Sequence, residues 1–178
     1  MDNRPIGVFD SGYGGISVLA AAASLLPGER FIYLGDSLHA PYGERTEAEI
    51  MALTRHCVQY LIDKGCKAIV IACNTATSVA AAALRRELSL PIVAMEPALK
   101  PASMLEGDGL VLVLATEVTL KLSKFRRLME SYGKNAVPIP APGFVTAVEA
   151  GLTQGAEIDA LLQEYLGPWL RKPVKAVV

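Results

Sequence analysis

The residue of this chain that is best placed to do chemistry is Cys73. The apolar, β-branched run at residues 68–72 predicts a buried strand, and the alanine-rich stretch after Thr75 predicts a helix. Ligands of open α/β sheets bind at such strand ends. Backbone N–H groups and a helix dipole favour thiolate over thiol there. The alternative is a small buried apolar side chain, the usual fate of a free cysteine, and this segment alone leaves the two interpretations equal.

A second predicted strand also ends at a residue that could do chemistry, in this case a carboxylate. The apolar run at residues 6–9 ends at Asp10, and small residues follow it. The loops at residues 35–43 and 116–119 come after two further predicted strands. Because the carboxyl ends of parallel strands share one edge of a sheet, we expect these loops to approach Cys73. Their hydroxyls, amides and helix N-termini suit a small ligand that carries carboxylates.

The glycines after Asp10 allow a different interpretation, a dinucleotide site. Gly12 and Gly14 begin the fingerprint, and Asp36 stands where a ribose-binding acid is required. However, Ser17 occupies the third glycine position, and a nucleotide would leave Cys73 and Asp10 without a role. We therefore favour the small acidic ligand.

The elements that must position these residues alternate between strand-like and helix-like segments. This pattern predicts an α/β fold with parallel sheets covered by helices on both faces. We expect two similar lobes, residues 1–96 and 97–173, with a ligand cleft between them. Residues 174–178 are interpreted as the start of a strand that returns to the first lobe, and this lobe appears incomplete in the sequence.

Composition narrows the class of protein. A hydrophobic content of 52% is ample for a packed core, and a net charge of −1 gives no reason to expect nucleic acid or an anionic membrane as partner. No apolar run approaches the roughly 18 residues that a membrane span requires. Three cysteines fit neither a disulfide framework nor a zinc site. We expect a soluble, cytoplasmic protein with a small-molecule substrate, and leave homo-oligomerisation open.

Three segments together resemble a known family. FDSGYGG at residues 9–15, PYG at 41–43 and CNTAT at 73–77 are similar in order and spacing to the signatures of glutamate racemases, in the cofactor-independent aspartate/glutamate racemase superfamily. The resemblance implies interconversion of L- and D-glutamate, which supplies D-glutamate for peptidoglycan, without pyridoxal phosphate or metal. In that family two cysteines face opposite sides of the substrate α-carbon. One thiolate removes the α-proton, and the other thiol returns a proton.

The resemblance also implies roles for single residues. Cys73 would be the first acid/base thiol, Asp10 the carboxylate that orients or polarises it, and Glu149 a glutamate near the second catalytic side. The residues that would hold the substrate or close the cleft over it are Asp10, Ser11, Pro41, Tyr42, Gly43, Asn74, Thr75, Thr116 and Thr119. From the sequence alone, Glu149 is equally well explained as a solvent-facing residue. Asp36 either positions the Tyr42 loop or caps a turn, and His39 is expected to be a solvated loop residue.

One family segment is absent. The second motif, glycine-cysteine-threonine-histidine, follows in the family on a strand like residues 175–178, where this sequence ends. Cys57, in a predicted helix, and Cys66, at the wrong end of a strand, are poor replacements. We therefore interpret the chain as the N-terminal two-thirds of a racemase. The alternatives are a non-catalytic protein that binds an acidic amino acid or a partner, and another acidic-substrate racemase of the superfamily.

Overall fold

The computed structural model describes residues 2–178 and contains two compact units, which divide between Glu96 and Pro97. Each unit has a parallel β-sheet with helices packed against it, so the expected α/β architecture is confirmed. Within residues 2–178, no helix combines the length and apolar character needed to cross a membrane.

The first unit contains a four-stranded sheet in the order β2-β1-β3-β4. Its elements are β1 (Ile6–Asp10), α1 (Gly15–Leu25), β2 (Phe31–Gly35), a 3₁₀ turn (Tyr42–Glu44), α2 (Glu47–Asp63), β3 (Ala68–Ile71), α3 (Asn74–Glu87) and β4 (Ile92–Ala94). The central strand β1 pairs with β2 up to Asp10↔Gly35 and with β3 up to Phe9↔Ile71. Three strands therefore end at the same level, which brings the loops after them to one edge.

Local sequence signals explain the helix that leads into β3. Thr46 and Glu49 are spaced as a capping box and form one: the Thr46 hydroxyl accepts from the Glu49 N–H, and the Glu49 carboxylate accepts from the Thr46 N–H. Gly65 follows the helix with a φ of 79°, a conformation that glycine adopts without a side-chain penalty. The chain then turns directly into β3, whose far end carries Cys73.

The second unit contains a three-stranded sheet in the order β6-β5-β7. Its elements are α4 (Leu99–Ser103), β5 (Leu110–Ala115), α5 (Glu117–Lys121), α6 (Ser123–Tyr132), β6 (Ala136–Pro140), α7 (Pro142–Glu149), α8 (Ala156–Leu166) and β7 (Val174–Val177). Alternate residues of β5 supply two apolar cores. Val111 and Val113 pack with Phe125 on one face, and Leu112 packs with Ile139 on the other.

The last strand differs from our expectation. Residues 174–178 do not return to the first unit, because β7 pairs in parallel with β5. The Val178 N–H donates to the Leu112 carbonyl, and the Leu114 N–H donates to the Val178 carbonyl. Val174 packs on one core of the second unit and Ala176 on the other. Pairing with β5 satisfies buried backbone groups and extends both cores at once, which explains the position of this strand.

Candidate active site

Cys73 lies immediately beyond β3 and is the N-cap residue of α3. Its sulfur accepts a hydrogen bond from the Ala76 N–H at 3.4 Å. The residue is 7% exposed, so the thiol is almost removed from water. Asn74 and Thr75 form the first turn of α3. The N-terminus of this 14-residue helix and the thiol therefore occupy the same end of the sheet.

The loop after β1 contacts the same sulfur. The Ser11 hydroxyl lies 3.3 Å from Cys73 Sγ, and the Ser11 backbone N–H also bonds to the sulfur. Asp10, the last residue of β1, is buried, and its Oδ2 accepts from the Gly12 N–H at 3.0 Å. The structure therefore brings Asp10, Ser11 and Cys73 together, with three hydrogen-bond donors and one carboxylate around the thiol.

The balance of these interactions opposes ionisation. Burial, followed by the charge of Asp10, raises the pKa of Cys73, while the Ala76 N–H and the two Ser11 donors lower it by less. Burial and the Asp10 charge therefore outweigh the helix N-terminus, which by itself favours the thiolate. The loss of hydration of a buried thiolate outweighs the few donors that replace water. The Cys73 thiol is the stable form of this site at neutral pH.

Gly15 allows α1 to begin directly against the carboxylate. A methyl group at Gly15 would lie 2.6 Å from the Asp10 Cβ and 3.1 Å from the Ala72 Cβ. Any larger residue would push α1 away from the ends of β1 and β3. The glycine at position 15 is thus explained by close packing against Asp10.

The loop after β2 is held by a buried hydrogen-bond network. Tyr42 is 1% exposed, and its hydroxyl donates to Asp36 Oδ2 at 2.7 Å. The other Asp36 oxygen is 2.7 Å from His39 Nδ1. The Arg45 Nε donates to the His39 carbonyl. Asp36 therefore positions this loop, as one of our two interpretations proposed, and His39 is paired rather than simply solvated.

This network limits what the PYG segment offers to a ligand. Because the Tyr42 phenol is bonded to Asp36 and its ring packs 6.2 Å from that of Phe9, contacts from this segment are left to Pro41, Gly43 and the backbone. The Ala40–Pro41 peptide bond is cis. The Asp36 N–H donates to the Asp10 carbonyl at 3.0 Å, so the loop is anchored beside the candidate site.

The other two thiols lie elsewhere in the first unit. Cys57 is buried in α2 beside Tyr42 and Asp36, and burial, with a smaller contribution from Asp36, raises its pKa to about 11. Cys66 precedes β3 at the amino end of the strand, opposite to Cys73, and burial raises its pKa as well. A methyl group at Gly7 would lie 3.1 Å from the Cys66 sulfur, which identifies Cys66 as a packing residue.

The remaining predicted site residues belong to the second unit. Thr116 is the N-cap residue of α5; its hydroxyl accepts from the Thr119 N–H and lies 3.0 Å from the Thr119 hydroxyl. Glu149 is half-buried and is the last residue of α7. It lies about 10 Å along the helix axis from Pro142, where α7 begins. Across residues 2–178, no three His, Cys, Asp or Glu residues are grouped as metal ligands.

Sequence comparison identifies the family. The model of the family described as Asp/Glu/Hydantoin racemase matches residues 16–178. A glutamate racemase of Clostridium perfringens is 49% identical over 181 residues, which cover 100% of this chain and 70% of that protein. A glutamate racemase of Clostridium kluyveri is 48% identical over 180 residues, which cover 99% of this chain and 70% of the relative.

Solved structures give the same result. Glutamate racemase from Francisella tularensis in complex with D-glutamate superposes with a TM-score of 0.82 at 31% identity, over 99% of this chain and 68% of that one. The Escherichia coli glutamate racemase in complex with L-glutamate and the activator UDP-MurNAc-ala has a TM-score of 0.84 at 36% identity. The match covers 94% of this chain and 65% of that one. Because the family model spans nearly the whole chain and both sequence and fold agree, the chain belongs to the Asp/Glu/Hydantoin racemase family, among the glutamate racemases.

Proposed function

We propose that this chain acts on glutamate and moves the α-proton of its L- and D-forms with Cys73, and that the reaction supplies D-glutamate for peptidoglycan. The observation that carries the proposal is the arrangement of Cys73, Ser11 and Asp10 at the carboxyl edge of one parallel sheet. The family relatives and the glutamate in two related structures support the choice of substrate.

The charges around Cys73 suggest how substrate prepares the base. In the free site, burial and the Asp10 carboxylate keep Cys73 protonated. The ammonium group of an amino acid placed beside Asp10 would neutralise the charge that opposes ionisation, so the thiolate would form when substrate is present. The thiolate then takes the α-proton and becomes a thiol, while the electron pair stays on the α-carbon.

The same edge offers donors for the negative charges of glutamate. Asn74 and Thr75 begin α3, whose backbone N–H groups and dipole suit a carboxylate or the developing carbanion. We assign the backbone around Pro41 and Gly43 to the same carboxylates. We also propose Thr116 and Thr119, at the start of α5, as substrate-binding residues.

Inversion of a stereocentre requires a base on one face and an acid on the other. The three cysteines of this sequence are Cys57, Cys66 and Cys73. The first lies in α2 and the second at the amino end of β3. We therefore propose that residues 1–178 supply one of the two thiols of a two-base reaction, with Glu149 as a further acid/base group. The alternative function is the binding of an acidic amino acid without turnover.

Exchange of the α-proton separates these functions. Each enantiomer of glutamate is incubated with the chain in heavy water, and loss of the α-proton signal is followed by NMR, with aspartate as the comparison substrate. Cys73→Ser is the matched control, because serine keeps an acceptor at the N-cap of α3 and removes the thiol. We expect Cys73-dependent exchange of glutamate. Binding of glutamate without any exchange would support the alternative, and equal exchange by Cys73→Ser would refute the role of Cys73.

A further inference from the structure

The contact between Ser11 and Cys73 differs from the other hydrogen bonds around the sulfur. The backbone N–H groups of Ser11 and Ala76 can only donate to it. The Ser11 hydroxyl, 3.3 Å from the sulfur, can donate or accept. Of the three donors around the thiol, it is therefore the one that can reverse its direction.

A racemase thiol has to be stable in both protonation states, since it acts as a base on one enantiomer and as an acid on the other. Cys73 is buried, so the protein groups around the sulfur supply most of its hydrogen bonds in either state. We propose that Ser11 is a positioning residue whose hydroxyl accepts a hydrogen bond from the Cys73 thiol and donates one to the Cys73 thiolate. This inference rests on the proposed role of Cys73 as the acid/base group.

The proton balance requires only rotation of the hydroxyl. When the thiolate removes the α-proton, an S–H bond forms, the C–H bond breaks, and its electron pair remains on the α-carbon. The Ser11 O–H then turns away from the sulfur, and the oxygen receives the new S–H. In the opposite direction the thiol gives its proton to the α-carbon, and the O–H turns back to the thiolate. Ser11 neither gains nor loses a proton.

The position of Asp10 gives the hydroxyl its importance. The carboxylate is held next to the site by the Gly12 N–H and disfavours the thiolate. The Ser11 donors and the Ala76 N–H act in the opposite direction and favour the thiolate. Removing the hydroxyl leaves two fixed N–H donors against the same carboxylate, so Cys73 should ionise at a higher pH.

The test compares Ser11→Ala with Ser11→Thr, which keeps the hydroxyl. Alkylation of Cys73 by iodoacetamide is measured from pH 6 to 11 by peptide mass spectrometry, with Cys57 and Cys66 as internal controls. A hydrogen bond to a charged group corresponds to about a tenfold change in ionisation or more. We expect Ser11→Ala to slow Cys73 alkylation at pH 7 about tenfold and to move its midpoint to higher pH. Ser11→Thr should stay close to the wild-type chain.

Two results would overturn the proposal: an unchanged or faster reaction in Ser11→Ala, or a Ser11→Thr chain that behaves like Ser11→Ala. If thermal melting shows that Ser11→Ala is unfolded, Ser11→Gly removes the same hydroxyl and is judged by the same outcomes. The assay needs no turnover. A shifted midpoint without α-proton exchange by the wild-type chain would refute the proposed function alone. Exchange with an unshifted midpoint would refute only the role of Ser11.

Discussion

Removal of the Tyr42 hydroxyl should destabilise the first unit. The Tyr42→Phe substitution keeps the ring and its packing against Phe9, and deletes only the O–H that donates to Asp36 at 2.7 Å. The Asp36 carboxylate, whose side chain is 12% exposed, then retains His39 and the neighbouring Cys57 thiol but loses the phenol. Because little water can reach the carboxylate, the lost hydrogen bond is not replaced.

The expected size follows from the charge of the acceptor. A hydrogen bond to a charged group contributes about 1.5–3 kcal/mol. For a chain of this length each kcal/mol corresponds to about 2–4 °C in Tm. Tyr42→Phe should therefore lower the Tm by about 3–12 °C at pH 7. The matched control is Tyr60→Phe: Tyr60 is 45% exposed, and its variant should stay within about 0.5 kcal/mol of the wild-type chain.

A double-mutant cycle tests the cause. Urea unfolding is measured for Tyr42→Phe, Asp36→Ala and the double variant, and the interaction free energy should be about 1 kcal/mol or more. Additive effects, or a Tyr42→Phe variant no less stable than Tyr60→Phe, would refute the argument that the Asp36–Tyr42 pair holds this loop.

Four further outcomes are expected. Glutamate should slow alkylation of Cys73 and leave Cys57 and Cys66 unaffected in peptide mapping; equal protection of all three would contradict the site. By circular dichroism, the 178-residue chain should racemise glutamate about 10²–10⁴-fold more slowly than a two-base enzyme; full racemisation lost in Cys73→Ser would disprove this. The free energy of unfolding should fall from about pH 9 to about pH 11. In this range the folded state keeps its proton on Cys57, whose pKa is about 11, and on Tyr42, whose pKa is also raised, while the unfolded chain loses these protons. The stability that Cys57 contributes in this way is fully present below about pH 9 and amounts to about 2–3 kcal/mol. The fall in unfolding free energy should be smaller in Cys57→Val, and an unchanged pH dependence in this variant would contradict the prediction. Finally, Leu25 is 80% exposed on the apolar helix α1, so sedimentation should show concentration-dependent association that Leu25→Gln weakens; a monomer at all concentrations would contradict this.

Some features followed from neighbouring residues alone. The capping box at Thr46, the stop at Gly65 and the strand that ends before Cys73 depend on residues within a few positions of each other. Their geometry is set by backbone conformation and local hydrogen bonds, which the order of residues encodes directly. The alternation of such elements was likewise sufficient to predict parallel sheets.

Other features required the folded chain. The partner of the Tyr42 phenol could have been a ligand, and only the burial of this side chain beside Asp36 assigns it to the loop. The sign of the Cys73 pKa shift depends on burial and on its distance from Asp10, 63 positions earlier in the sequence. The helix N-terminus at Cys73, which neighbouring residues predict, by itself favours a lower pKa.

The sequence by itself determined the α/β class, the family resemblance and the end of β3 as the place of the thiol, because motif spacing and hydrophobic periodicity are properties of short segments. The tertiary structure decided which residues share a hydrogen bond, such as Ser11 with Cys73, and which sheet receives residues 174–177. These depend on contacts between segments far apart in the chain. The free energy of such contacts is set by desolvation and strand pairing, which no single segment contains.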